Sequence, residues 1–147
     1  MLPMSETRQF QPSGDTVLIV PGLHGSADGH WQSIWQTRLP NSVRVIQDDW
    51  DTADLQKWSL CLLETSQSLE RFWIVAHSFG VLTALYALPA IIDRVAGVFF
   101  VAPADPDKFA VSDLLPVLDK AVPGVLVASH TDPWMTFSKA LQLAERY

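Results

Sequence analysis

One cysteine, Cys61, stands in the whole chain, so neither an internal disulfide nor a cysteine-built metal cluster can form, and the thiol reads as helix packing. Basic residues are scarce too. Ten Lys and Arg against sixteen Asp and Glu leave a net charge of −6, with no basic stripe to follow a phosphate backbone, which excludes nucleic acid as a partner. Long apolar runs are missing: the longest, Val95 to Ala104, is about half of the ~20 residues that a membrane helix needs, so no membrane is expected either. Met1 to Phe10 holds one arginine and no apolar stretch, no secretory leader is expected, and the cytoplasm is the default location. Gly25-Ser26-Ala27-Asp28-Gly29 has neither the Walker nor the dinucleotide spacing, and no cofactor is expected. Asp48, Asp49, Asp51 and Asp54 surround Trp50, but without clustered histidines they read as a solvated loop, and no metal is expected.

What is present is an alternation of strand and helix. Thr16 to Val20, Val43 to Gln47, Phe72 to Ala76, Val95 to Val101 and Gly124 to Ser129 read as strands, and Ala53 to Leu69 as a helix. Such an alternation predicts an α/β fold: a mostly parallel sheet with helices on both faces, in a single domain over 1–147. Val81, Leu82, Leu85 and Leu88 at helical spacing predict another helix, with Ala84 and Ala87 allowing close packing and Pro89 ending it.

The junction before that helix carries the chemistry. Phe72 to Ala76 runs into Ala76-His77-Ser78-Phe79-Gly80, the pattern of a nucleophile elbow, in which the serine occupies a cramped turn and needs small residues two positions away on either side. Ala76 stands where glycine is usual, and it is still small. The competing reading of Ser78 is an ordinary helix cap. His77, adjacent on a tight turn, is expected to shape the elbow rather than act as its base. Pro21-Gly22-Leu23-His24-Gly25-Ser26 follows the first strand, and such a turn can aim amides at developing negative charge, pairing the Phe79 N–H with that of Leu23 or His24 as an oxyanion hole. Asp132, in His130-Thr131-Asp132-Pro133 after the last strand, is the candidate acid, with the rival reading of an Asp-Pro turn. In a parallel sheet it would share the rim of Ser78. Asp105, in another Asp-Pro turn, is a weaker competitor. A serine also requires a base, nearly always histidine. None follows Asp132, leaving His130, His24 and His30 as the residues within the chain to search. Of six tryptophans, Trp31 and Trp35 read as core, while Trp50 and Trp134 are candidates to line a substrate pocket.

The run from Pro21 to Ser26, Gly29-His30-Trp31-Gln32, Trp35, Gln47-Asp48-Asp49-Trp50-Asp51, Trp58, Ala76 to Gly80 and Asp132-Pro133 closely resembles the retinoblastoma-binding-protein-nine-like family of small, lidless serine α/β-hydrolases. The resemblance spans about Asp15 to Tyr147. It implies an α/β-hydrolase core, Ser78 as nucleophile, Asp132 as acid, and hydrolysis of a small-molecule ester or amide. It also implies a further strand and a Gly-His segment after the acid, which this sequence does not contain. The domain is thus expected to be incomplete at its carboxyl end, with an unpaired edge strand open to homodimer formation. The alternative is a catalytically impaired hydrolase scaffold acting as a binding or interaction module.

Overall fold

A computed structural model describes residues 15–147. Along them run β1 (Thr16–Val20), α1 (Trp31–Arg38), β2 (Ser42–Arg44), α2 (Leu55–Ser66), β3 (Phe72–His77), α3 (Phe79–Ile91), β4 (Val95–Val101), β5 (Gly124–Val127) and α4 (Phe137–Arg146). The strands form one sheet in the order β2-β1-β3-β4-β5, and every pairing is parallel. The carboxyl ends of all five strands therefore open on one rim, where the loops of an α/β protein can meet.

Alternation along β1 decides which helix goes where. Leu18 and Val20 point into the larger core with Ile74, Ala76, Trp58, Leu62, Leu82, Leu85 and Leu143 from β3, α2, α3 and α4. Val17, Ile19 and Val75 point the other way, against Trp31 and Leu39 at the two ends of α1. Helices thus cover both faces, as expected for a buried parallel sheet. α3 is apolar around nearly its whole circumference, with ten of its residues buried, Phe79 and Val81 among them, because it is sandwiched between the sheet and α2.

Several elements differ from their sequence-based limits for identifiable reasons. The second strand stops at Arg44 instead of Gln47. Val45 still donates to the Ile19 carbonyl at 2.9 Å, but the next rung would need an N–H from Pro21, which has none. β5 stops at Val127 instead of Ser129, where its neighbour turns away at Ala102 with φ +47°. α2 is shorter than Ala53 to Leu69, starting after Asp54, whose side chain accepts from the Lys57 N–H. Pro89 does not end α3. It lies inside the helix, which continues to Ile91, because the buried side chains of Leu88 and Ile91 favour continuing the turn despite the missing N–H. Trp31 packs on the smaller core, whereas Trp35 is 38% exposed, stacked on Phe99 at 5.4 Å.

Candidate active site

Ser78 joins β3 to α3 with φ +55° and ψ −122°. An L-residue there is strained, and the conformation persists only where neighbours hold it. They do so on both sides: the Ser78 N–H donates to the Val101 carbonyl at 3.1 Å, and its own carbonyl accepts from Val81 at 3.0 Å and Ala104 at 3.1 Å. The small neighbours are required by contact. A Cβ on Gly80 would lie 2.6 Å from the Pro21 carbonyl oxygen and nearer still to that of Val20, and one on Gly22 would meet Ser78 Cβ at 2.9 Å. Although Ser78 holds the cap position of α3, its side chain makes no capping hydrogen bond. The hydroxyl is not consumed by the helix.

Opposite it lies the turn after β1. His24 and Gly25 both take left-handed backbones, φ +67° and +69°. Of the candidate amide donors, His24 is occupied, giving its N–H to the Trp50 carbonyl at 2.8 Å. The Leu23 N–H has no acceptor among the described residues, and that of Phe79 belongs to the first turn of α3, whose donors lack a partner one turn back. The pair Leu23 and Phe79 is what remains for an anion. The His24 ring turns outward to Asp51, Nδ1 to Oδ1 2.9 Å.

A cleft of about 620 Å³ joins these parts, lined by Leu23, His77, Ser78, Phe109, Asp132 and Trp134 among others. Asp132 and Ser78 therefore share one rim. One carboxylate oxygen of Asp132, Oδ1, accepts the Trp134 N–H at 2.8 Å and the Met135 N–H at 3.3 Å. The turn-forming role and proximity to the serine thus coexist, and Oδ2 has no hydrogen-bond partner among the described residues, although the carboxylate's charge acts on the His77 ring. Asp105 also borders the cleft, but it is 3% exposed and both oxygens are taken, Oδ1 by the Asp107 N–H at 3.0 Å and Oδ2 by Lys139 Nζ at 2.8 Å. It anchors the cleft wall. Trp134 stands at the mouth, 75% exposed. Trp50 is absent from the cleft lining: its ring meets Trp58 edge-on at 5.6 Å and packs beside Gly25, where an added Cβ would touch it at 3.4 Å. The acidic loop around it is used locally, with Asp49 accepting the Asp51 and Thr52 N–H groups.

None of the four histidines hydrogen-bonds to the Ser78 hydroxyl. His130 stacks on Phe137 with ring centres 3.8 Å apart. His30 caps α1, accepting the Gln32 N–H at 3.1 Å, and its ring meets that of His77 at 4.7 Å. Burial pushes the His77 pKa down to about 4, helped by His30 and opposed by Asp132. Burial, then Arg44, also lowers His30. Between pH 6.5 and 4 the unfolded chain binds a proton at position 77 that the folded chain refuses. Stability is therefore expected to fall as pH drops through that window, by on the order of 1 kcal/mol after discounting for solvent screening. A His77→Gln variant should flatten that part of a urea-denaturation profile against pH; an unchanged slope would assign it to other groups.

Two features of the site escaped sequence reasoning. Gln32, fully buried, donates to the carbonyls of Val20 and Val75, both at 3.2 Å, and accepts from Ser26 at 2.6 Å, bracing the ends of β1 and β3. A glutamine between two tryptophan-rich positions carries no local sign of this. Lys108 also lines the cleft, its Nζ donating to the Trp134 carbonyl at 2.6 Å, a contact between loops that no local spacing encodes.

A family model for serine hydrolase matches residues 17–147. A crystal structure of a YdeN-like hydrolase from Pectobacterium atrosepticum is similar at 39% identity with a TM-score of 0.81, over 89% of this chain and 71% of that one. No curated protein matches.

Proposed function

The chain belongs to the serine hydrolase family, and we propose that it cleaves small carboxyl esters or amides through an acyl-enzyme on Ser78. The observation that carries this reading is the state of that serine: held at positive φ, its hydroxyl free of the helix and bordering the cleft. The strained turn leaves the hydroxyl uncapped, and a nucleophile elbow accounts for both features. In the reaction Ser78 Oγ bonds to the substrate carbonyl carbon, whose oxygen becomes negative between the Leu23 and Phe79 amides. The hydroxyl proton must pass to a base, a role that none of the four histidines fills in this arrangement, and from it to the departing alcohol or amine; water then attacks the acyl-enzyme carbonyl, releasing the acid and restoring Ser78. Asp132 Oδ2 would hold and charge-balance a protonated base. The resemblance to the retinoblastoma-binding-protein-nine-like members supports the same roles for Ser78 and Asp132.

A second reading rests on the hydroxyl's lack of any histidine partner: the cleft binds carbonyl compounds and turns them over feebly. A fluorophosphonate probe tests what the two readings share. Peptide mass spectrometry is expected to find the probe on Ser78, because the amide pair polarises phosphoryl and acyl oxygens alike. No adduct at Ser78 after prolonged exposure, in protein shown to be folded, would remove the nucleophile assignment.

A further inference from the structure

Among the ionic groups that border the cleft, Asp105 is matched by Lys139 at 2.8 Å. Lys108 is not matched. No carboxylate of a described residue lies within ion-pair distance of its Nζ, and its contact is a neutral one, the Trp134 carbonyl at 2.6 Å. That carbonyl lies two residues beyond Asp132, whose Oδ1 is already engaged by the Trp134 and Met135 amides. The ammonium is thus carried across the cleft from the loop after β4 to the loop after β5, and it stops at a backbone oxygen.

A backbone carbonyl satisfies one of an ammonium's three donors and none of its charge. Lys108 lines the cleft together with Leu23, Phe109 and Ala104, and a charge-assisted hydrogen bond is about twice as strong as a neutral one. Arg94 and Arg146 also end on backbone carbonyls, but among the described Lys and Arg residues Lys108 is the one that lines the cleft with Ser78.

We propose that Lys108 is a specificity-determining residue that selects substrates whose acyl part carries a carboxylate, the carbonyl lying at Ser78 and the carboxylate reaching the Lys108 ammonium. This rests on the reading of the cleft as an acyl-binding site. The substrate class is then a monoester or monoamide of a short dicarboxylic acid.

The test uses binding, so that it is separable from turnover. Monomethyl glutarate and methyl 4-carbamoylbutanoate share the methyl ester and differ only in a carboxylate against an amide at the far end. Titrated into the Ser78→Ala chain and followed by NMR shifts, the carboxylate is expected to bind about tenfold more tightly. Lys108→Met should erase that preference, Lys108→Arg keep most of it, and Lys108→Glu reverse it. Lys108 is exposed, and circular dichroism of each variant checks that the fold persists. Equal binding of the two ligands, or a preference that survives Lys108→Met or Lys108→Glu, overturns the assignment and leaves Lys108 as a strap between loops. If the preference holds while the fluorophosphonate fails to label Ser78, the cleft assignment stands and the hydrolase mechanism falls.

Discussion

After subtraction of the cleavage that imidazole causes without protein, free imidazole is expected to accelerate hydrolysis of a small activated ester by this chain at least tenfold, and Ser78→Ala to abolish that protein-dependent part. The expectation follows from what Ser78 has and lacks. Its hydroxyl borders a cleft of about 620 Å³, with the Leu23 and Phe79 amides nearby, yet no histidine bonds to it. A serine without a base stays protonated and is a weak nucleophile. In a well-studied protease the oxyanion amides and binding alone retain roughly 10³ to 10⁴ over water when a triad member is removed, so the unaided rate should be measurable but low. A positioned general base contributes roughly 10² to 10⁴. Imidazole from solution recovers only part of that, because it must be captured from bulk at each turnover. Asp132→Ala should halve the rescue or more, since Oδ2 would no longer stabilise the imidazolium. Fast hydrolysis without imidazole, lost in Ser78→Ala, would mean that His130, His24 or His30 swings into place. Rescue unaffected by Ser78→Ala would put the chemistry elsewhere.

Gly80→Ala is expected to be the most damaging single methyl in the described chain. The added Cβ would sit 2.6 Å from the Pro21 carbonyl oxygen and closer to that of Val20. Both are backbone atoms of the β1 end, so no rotamer change relieves them. Overpacking usually costs about 1–3 kcal/mol, and a clash with backbone on both partners belongs at the upper end. At roughly 3 °C per kcal/mol for a domain of this size, Tm should fall by about 10 °C. Gly29→Ala is the matched control: a Cβ there meets nothing within 4 Å, and its effect should stay within about 0.5 kcal/mol. Calorimetry on the two variants decides. A Gly80→Ala protein melting within about 2 °C of the parent would mean that α3 and β1 shift apart easily, and that Ser78 is held less firmly than its contacts indicate.

Much of this arrangement is legible in the sequence, and for definite reasons. Gly80, Gly22 and Ser78 announce themselves because tight turns permit few residue types, and apolar strands announce themselves through burial on both faces. Sequence reasoning was weaker where one segment depends on another. Whether Pro89 breaks α3 depended on Leu88 and Ile91 finding a core. Whether His24 or Leu23 offers a free amide depended on the Trp50 carbonyl, twenty-odd residues downstream. Trp50, expected at the cleft, instead packs edge-on against Trp58 and beside Gly25, a placement that residue type alone does not reveal. Lys108 carries no sequence signal, and Gln32 figures only in the run that carries the family resemblance, since each works through a partner that only the tertiary fold supplies.

The position of β1 and β3 has a kinetic consequence. They pair with each other along their full length, Thr16 with Phe72 through Val20 with Ala76, although β2 and α2 intervene in the chain. That long loop must close before the two strands can pair, an entropic cost typical of slow-folding parallel sheets. Leu23 hangs from the end of one strand and Ser78 from the end of the other, with Gln32 bridging the two. Zipping the pair therefore assembles the amide and the hydroxyl in a single event. The serine and one amide thus depend on the same strand pairing, whereas Asp132 reaches the cleft separately, on the loop after β5.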